Sequence, residues 1–160
     1  MDVLFRGRSV RSAYRTVLVL VLVVFLPWTG VGCSRNSAKY AELLPRDGVV
    51  SVDLSDIGAE RGHFHTYRSR SGKKVDFFVY RDRAGAPHAV LDACRTCYRW
   101  RKGYVLSGKE VVCLKCDMRF TLDNLAGGSG SCVPIALKGE EQGQSFRIPV
   151  DQLEAGASFF

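Results

Sequence analysis

Five of the six cysteines fall between residues 94 and 132, as Cys94-x2-Cys97-x15-Cys113-x2-Cys116-x15-Cys132. A Cys-x-x-Cys knuckle points both sulfurs to one side, so two facing knuckles place four thiolates at the corners of a tetrahedron. Zinc and iron-sulfur clusters both accept that arrangement. The competing reading is disulfides, for which four cysteines allow three connectivities outside the cytoplasm. Five cysteines cannot all pair, and a Cys-x-x-Cys ring is strained and tends toward redox activity. The spacing favours metal and leaves a dithiol-disulfide couple open.

A chain of 160 residues with 46% hydrophobic and 11% aromatic residues has the material for one domain with a core, which excludes a disordered tail. The formal net charge of +7 overstates the charge of that domain, because Arg6, Arg8, Arg11 and Arg15 all precede an apolar run at residues 17–26. With no long basic run and no aromatic stacking motif, the remaining excess does not point to nucleic acid. No Ser-His-Asp or paired-carboxylate arrangement stands out. Gly127-Gly128-Ser129-Gly130 lacks the lysine and the strand-to-helix setting of a phosphate loop.

Four arginines, the apolar run, Pro27 and small residues up to Gly32-Cys33 read as a secretory leader. The run is too short for a helix of roughly 20 residues that spans a bilayer. Cys33, between Gly32 and Ser34, resembles the lipid-attachment cysteine of bacterial lipoproteins, although Gly30 stands where a bulky aliphatic residue is usual. An uncleaved signal anchor would hold the chain at the same membrane face. The expected organisation is a leader over 1–33, a polar tether over 34–47 ending in a helical turn at 38–44, and a metal domain over 48–160.

From Gly48 onward the pattern is mainly β. Strands are expected over 49–54, 63–68, 75–80 and 88–92, the last delivering Cys94, with Val75, Phe77 and Val79 on one face. Residues 103–106 and 110–112, joined by Ser107-Gly108-Lys109, form a hairpin that returns the chain to Cys113. One helical turn is expected over 121–125, a flexible loop over 126–131 bringing Cys132 back, a strand over 145–150 and a short helix over 151–155.

Arg95, Arg99, Arg101, Lys102, Lys115 and Arg119 crowd the knuckles against Asp92, Glu110 and Asp117. Cations there favour the thiolate and offset the charge of a four-thiolate centre, although a solvated face has the same composition. Tyr98, Trp100, Tyr104 and Phe120 are expected in the core, with shielding of the centre as a by-product. His63 and His65 share one face of a strand and, with distant His88, outline a second metal site only weakly.

Tyr67, Phe77-Phe78-Val79, Asp92-Ala93-Cys94-x-x-Cys97-Tyr98, Gly103-Tyr104, Val112-Cys113-x-x-Cys116, Phe120, Cys132-x-Pro134 and the segment 148–160 together resemble the membrane iron-sulfur domain family called FtrD-like. Ser129-Gly130-Ser131-Cys132-Val133-Pro134 stands where that family tends toward Gly-Gly-Cys-Asn-Pro. The resemblance implies an iron-sulfur or related metal centre at the extracytoplasmic, periplasmic membrane face, linked to iron uptake and electron transfer. A fainter likeness to the Rieske layout, two metal-binding hairpins facing each other on a β domain, would put Cys97 and Cys116 in the places of histidines; a zinc-ribbon-like arrangement is the alternative. The expected ligands are Cys94, Cys97, Cys113 and Cys116, with Cys132 a fifth candidate as a replacement ligand, a redox-labile thiol or a disulfide partner after metal loss, and Cys33 the lipid site. Expected partners are the membrane and a permease or redox protein. The chain is expected to be an electron carrier or metal-binding protein rather than an enzyme; the other readings are a thiol-disulfide oxidoreductase and a structural zinc module.

Overall fold

Both faces of one strand are apolar in this chain, and that decides the architecture. Val75, Phe77 and Val79 point one way, Phe78 and Tyr80 point the other, and all five are buried. A sheet containing that strand must be covered on both sides. The computed structural model describes residues 39–125 and 132–160. The expected leader with Cys33 and the glycine-rich stretch 126–131 lie outside the described residues.

The strands are β1 (Tyr40–Leu43), β2 (Val49–Asp53), β3 (Arg61–Arg68), β4 (Lys74–Arg81), β5 (Pro87–Cys94), β6 (Tyr104–Ser107), β7 (Glu110–Cys113), β8 (Arg119–Thr121), β9 (Pro134–Leu137), β10 (Glu140–Gln142) and β11 (Ser145–Pro149), followed by the helix α1 (Val150–Gly156). They form a sheet in the order β1-β3-β4-β5-β9 and two smaller sheets, β10-β11-β2 and β6-β7-β8. The fold is therefore mainly β, as expected. On one side of β4, Val75, Phe77 and Val79 pack with Val50 and Val52 of β2, Ile148 of β11 and Leu153 of α1. On the other side, Phe78 and Tyr80 pack with Tyr104, Val111 and Phe120 of the third sheet, and Cys94, Cys113 and Cys132 join this second core. Burial of that much apolar surface is the main stabilising term for both layers.

The expected helical turn at 38–44 is instead β1, which runs parallel to β3 with Tyr40 opposite Phe64. A segment this short cannot hold a helix by itself, whereas the edge of β3 offers it backbone partners. Its first residues are also tied to the domain: the Tyr40 hydroxyl donates to Asp92 Oδ2 at 2.5 Å, and Lys39 Nζ donates to the Tyr104 carbonyl at 2.8 Å. The hairpin of β6 and β7 forms as expected, with Ser107 paired to Glu110 across Gly108-Lys109 and Gly108 at φ 64°. The turn near 121–125 is a single 3-10 turn, Leu122–Asn124.

Candidate metal centre

The first knuckle closes β5. Cys94 is the last residue of the strand, and the Cys97 N–H donates to Cys94 Sγ at 2.8 Å, which sets the sulfur of one cysteine over the backbone of the other. The chain then makes a 3-10 turn, Tyr98–Trp100, and leaves it through Arg101 in the left-handed region at φ 50°. The second knuckle closes β7 in the same manner: the Asp117 N–H donates to the Cys113 carbonyl at 2.9 Å, and Asp117 sits at φ 57°. The second knuckle is tied to the segment that leads from the first into β6, since the Leu114 N–H donates to the Gly103 carbonyl at 3.0 Å.

Cys132 arrives by a strand pairing that sequence reasoning missed. In the β5–β9 pair, Cys94 lies opposite Pro134, so Cys132 enters just ahead of β9, beside the first knuckle. Its sulfur lies 3.4 Å from Cys94 Sγ, 3.3 Å from Cys97 Sγ, 2.9 Å from Cys116 Sγ and 3.7 Å from Cys113 Sγ. The structure thus brings all five cysteines together as free thiols, with Cys132 buried in their midst rather than at the margin. Cys94, Cys97, Cys113 and Cys132 have sulfurs all within 4.8 Å of one another, a set that leaves out the exposed Cys116. A tetrahedron with metal-sulfur bonds of about 2.3 Å has edges of about 3.8 Å, so this all-thiol set fits a soft metal.

The thiols are not equivalent. Burial alone would raise Cys94, but the Cys97 N–H and the Cys132 thiol outweigh it and hold Cys94 below the usual thiol range. The hydrogen bond from Cys132, then the Met118 N–H, lowers Cys116 as well. Burial pushes Cys97 up to about 11 and Cys132 higher still, where it keeps its proton as donor to its neighbours. A metal cation offsets the cost of burying thiolates and lets the buried thiols ionise.

Tyr104, expected as packing, also acts as a tie. Its N–H donates to Asp92 Oδ1 at 2.6 Å and its hydroxyl donates to the Cys132 carbonyl at 2.7 Å. Burial and the adjacent sulfurs push its phenol far up, so it stays a donor. Burial likewise raises the Asp92 carboxyl to about 6 against the opposing effect of Tyr40. Phe120 is buried as expected, whereas Trp100 is 52% exposed with Lys115 Nζ 4.8 Å from its ring centre. The histidines do not assemble: His65 is buried, His63 is exposed and His88 Nε2 lies 3.0 Å from Asp82 Oδ2.

The fold and the site together define a small β protein with a thiol cluster able to hold a metal. The chain belongs to the family described as membrane iron-sulfur containing protein FtrD-like, whose pattern matches residues 58–160. No curated protein matches it in sequence. Among solved structures it is similar to a quaternary ammonium Rieske monooxygenase described in connection with carnitine oxidation by gut microbiota and inter-subunit electron transfer, at 19% identity and a TM-score of 0.37 over 56% of this chain and 27% of that one. It is similar also to the quaternary ammonium Rieske monooxygenase CntA in complex with an inhibitor, at 20% identity and a TM-score of 0.36 over the same shares of the two chains. The chain thus spans about a quarter of those enzymes' length, and likeness at that level adds nothing to the site's chemistry.

Proposed function

We propose that this chain is an iron-sulfur protein attached to the extracytoplasmic face of a membrane, where it passes electrons or iron to a membrane transport system. The observation that carries this reading is the convergence of four thiols on Cys132 Sγ. Its membership of a family described as membrane iron-sulfur proteins supports the choice of iron over zinc. Cys94, Cys97, Cys113 and Cys132 are the proposed holders, with Cys116 at the exposed edge. When bound, an iron-sulfur centre supplies reversible one-electron transfer.

The protein's own part is to hold the sulfurs and limit water. Tyr104 fixes the Cys132 backbone, the Cys97 N–H supports the charge on Cys94, and Phe120 and Val111 close the inner side. Among the described residues no helix is long and apolar enough to cross a membrane. In this reading attachment belongs to the leader over 1–33, by a lipid on Cys33 or by the uncleaved apolar run, as its arginines, apolar run and Gly32-Cys33 suggest. The 2.9 Å approach of Cys116 to Cys132 favours one second reading, a dithiol that closes to a disulfide with loss of two electrons and two protons.

Reductive titration of anaerobically purified protein, followed by visible absorption and electron paramagnetic resonance, separates these readings. A reversible one-electron step with a paramagnetic signal supports the iron-sulfur reading. A colourless protein with a two-electron thiol step supports the dithiol, and a redox-silent protein with bound zinc leaves only a structural site.

A further inference from the structure

A cavity of about 340 Å³ lies beside the thiol cluster. It touches Cys94, Cys97 and Cys113 but neither Cys116 nor Cys132, so it flanks the cluster instead of enclosing it. Its volume is that of a small-molecule site. One wall is aromatic: Tyr98 meets Phe159 edge to face at 5.2 Å between ring centres, and Phe160 lies beside them.

The charges around it do not balance. The two acids in its lining are already engaged, Asp92 by the Tyr40 hydroxyl and the Tyr104 N–H, and Asp76 by the Thr66 hydroxyl. Of the five cations, Lys73 donates to the Ala157 carbonyl and is held by a main-chain oxygen of Phe160, the last residue of the sequence, and Lys115 lies over Trp100. Lys74, Arg101 and Lys102 are exposed and have no ion-pair partner among the described residues. Unpaired cations that converge on one concave site raise the local concentration of anions, and the aromatic wall offers a surface to an apolar ring.

We propose that this cavity binds a small organic anion with a ring-like apolar part, such as an aryl carboxylate, against the Cys94 and Cys97 side of the centre. The carboxylate faces Lys74, Arg101 and Lys102, and the ring packs on Tyr98, Phe159 and Phe160. The assignment goes beyond the iron-sulfur reading and does not depend on it, because binding is read as heat and not as electron flow.

The test is isothermal calorimetry on the purified protein, with its metal content measured before and after, using 2-naphthoate, the uncharged 2-naphthamide and succinate. Saturable binding of 2-naphthoate at one site per chain is expected, with naphthamide and succinate each about tenfold or more weaker, a difference of about 1.4 kcal/mol. The double variant Arg101→Glu with Lys102→Glu, and separately Lys74→Glu, are expected to weaken 2-naphthoate by about tenfold or more while the circular dichroism stays unchanged. No binding of 2-naphthoate, equal binding of its amide, or undiminished binding in whichever variant folds overturns the proposal. Succinate binding as tightly overturns the role of the aromatic wall.

Discussion

The carboxylate of Asp92 accepts the backbone N–H of Tyr104 at 2.6 Å, and the hydroxyl of the same tyrosine donates to the Cys132 carbonyl at 2.7 Å. One run of hydrogen bonds therefore ties β5, which delivers Cys94, to β6, which leads into the second knuckle, and to the segment that returns Cys132. Asp92→Ala leaves the buried N–H of Tyr104 without a partner, a loss of about 1–3 kcal/mol in a denaturant titration. Tyr104→Phe gives up a single bond, about 1 kcal/mol, but is expected to speed metal loss to a chelator because Cys132 is no longer fixed. If Tyr104→Phe matches the native chelation rate, the tie to Cys132 has no role in metal retention.

Gly103 and Gly108 separate two kinds of glycine requirement. Both have positive φ, 67° and 64°, but a Cβ on Gly103 would lie 2.5 Å from Asp92 Oδ2, whereas one on Gly108 meets nothing within 4 Å. Gly108→Ala is expected to cost about 1 kcal/mol of backbone strain. Gly103→Ala adds a clash with the carboxylate that holds Tyr104, and should cost more and loosen the metal. Equal destabilisation of the two variants would contradict the packing described around Asp92.

His65 is buried with neither ring nitrogen hydrogen-bonded, and burial, then the neighbouring His63, pulls its pKa down to about 4. The unfolded chain takes up a proton near pH 6.5, before the folded one does, so this residue makes stability fall as pH drops from about 6.5 to about 4. The full effect is about 3 kcal/mol. His65→Phe is expected to flatten the acid limb of the stability profile relative to the native protein. Parallel profiles for the two would show that His65 is not held neutral by burial.

Cys132 and Cys116 are the two cysteines on which the proposed ligand set turns. Cys132 is buried and touches the other four sulfurs, whereas Cys116 is exposed. Cys132→Ser is expected to strip the metal as fully as Cys94→Ser, Cys97→Ser or Cys113→Ser, because binding and folding are coupled. Cys116→Ser should retain part of it. Metal counts on the five single variants decide, and full retention in Cys132→Ser would remove that residue from the ligand set.

Much of this was legible in local pattern. The alternation of Val75, Phe77 and Val79 marked the face that meets β2 and β11, and Ser107-Gly108-Lys109 marked the hairpin between the knuckles. Residues 40–43 misled because a segment with helix-forming composition became a strand once the edge of β3 was available to it. β9 gave little sign of itself, since it begins at Pro134 and is followed by Gly139, yet its register against Cys94 is what positions Cys132. The Asp92–Tyr104–Cys132 ties link residues far apart in sequence, so no local periodicity could reveal them.

The most direct test of the central claim is an assay of iron and acid-labile sulfide per chain in protein purified without oxygen. Stoichiometric iron with matching sulfide, both lost in Cys94→Ser, is the predicted result. Protein that carries zinc and no sulfide, or no metal at all, contradicts it.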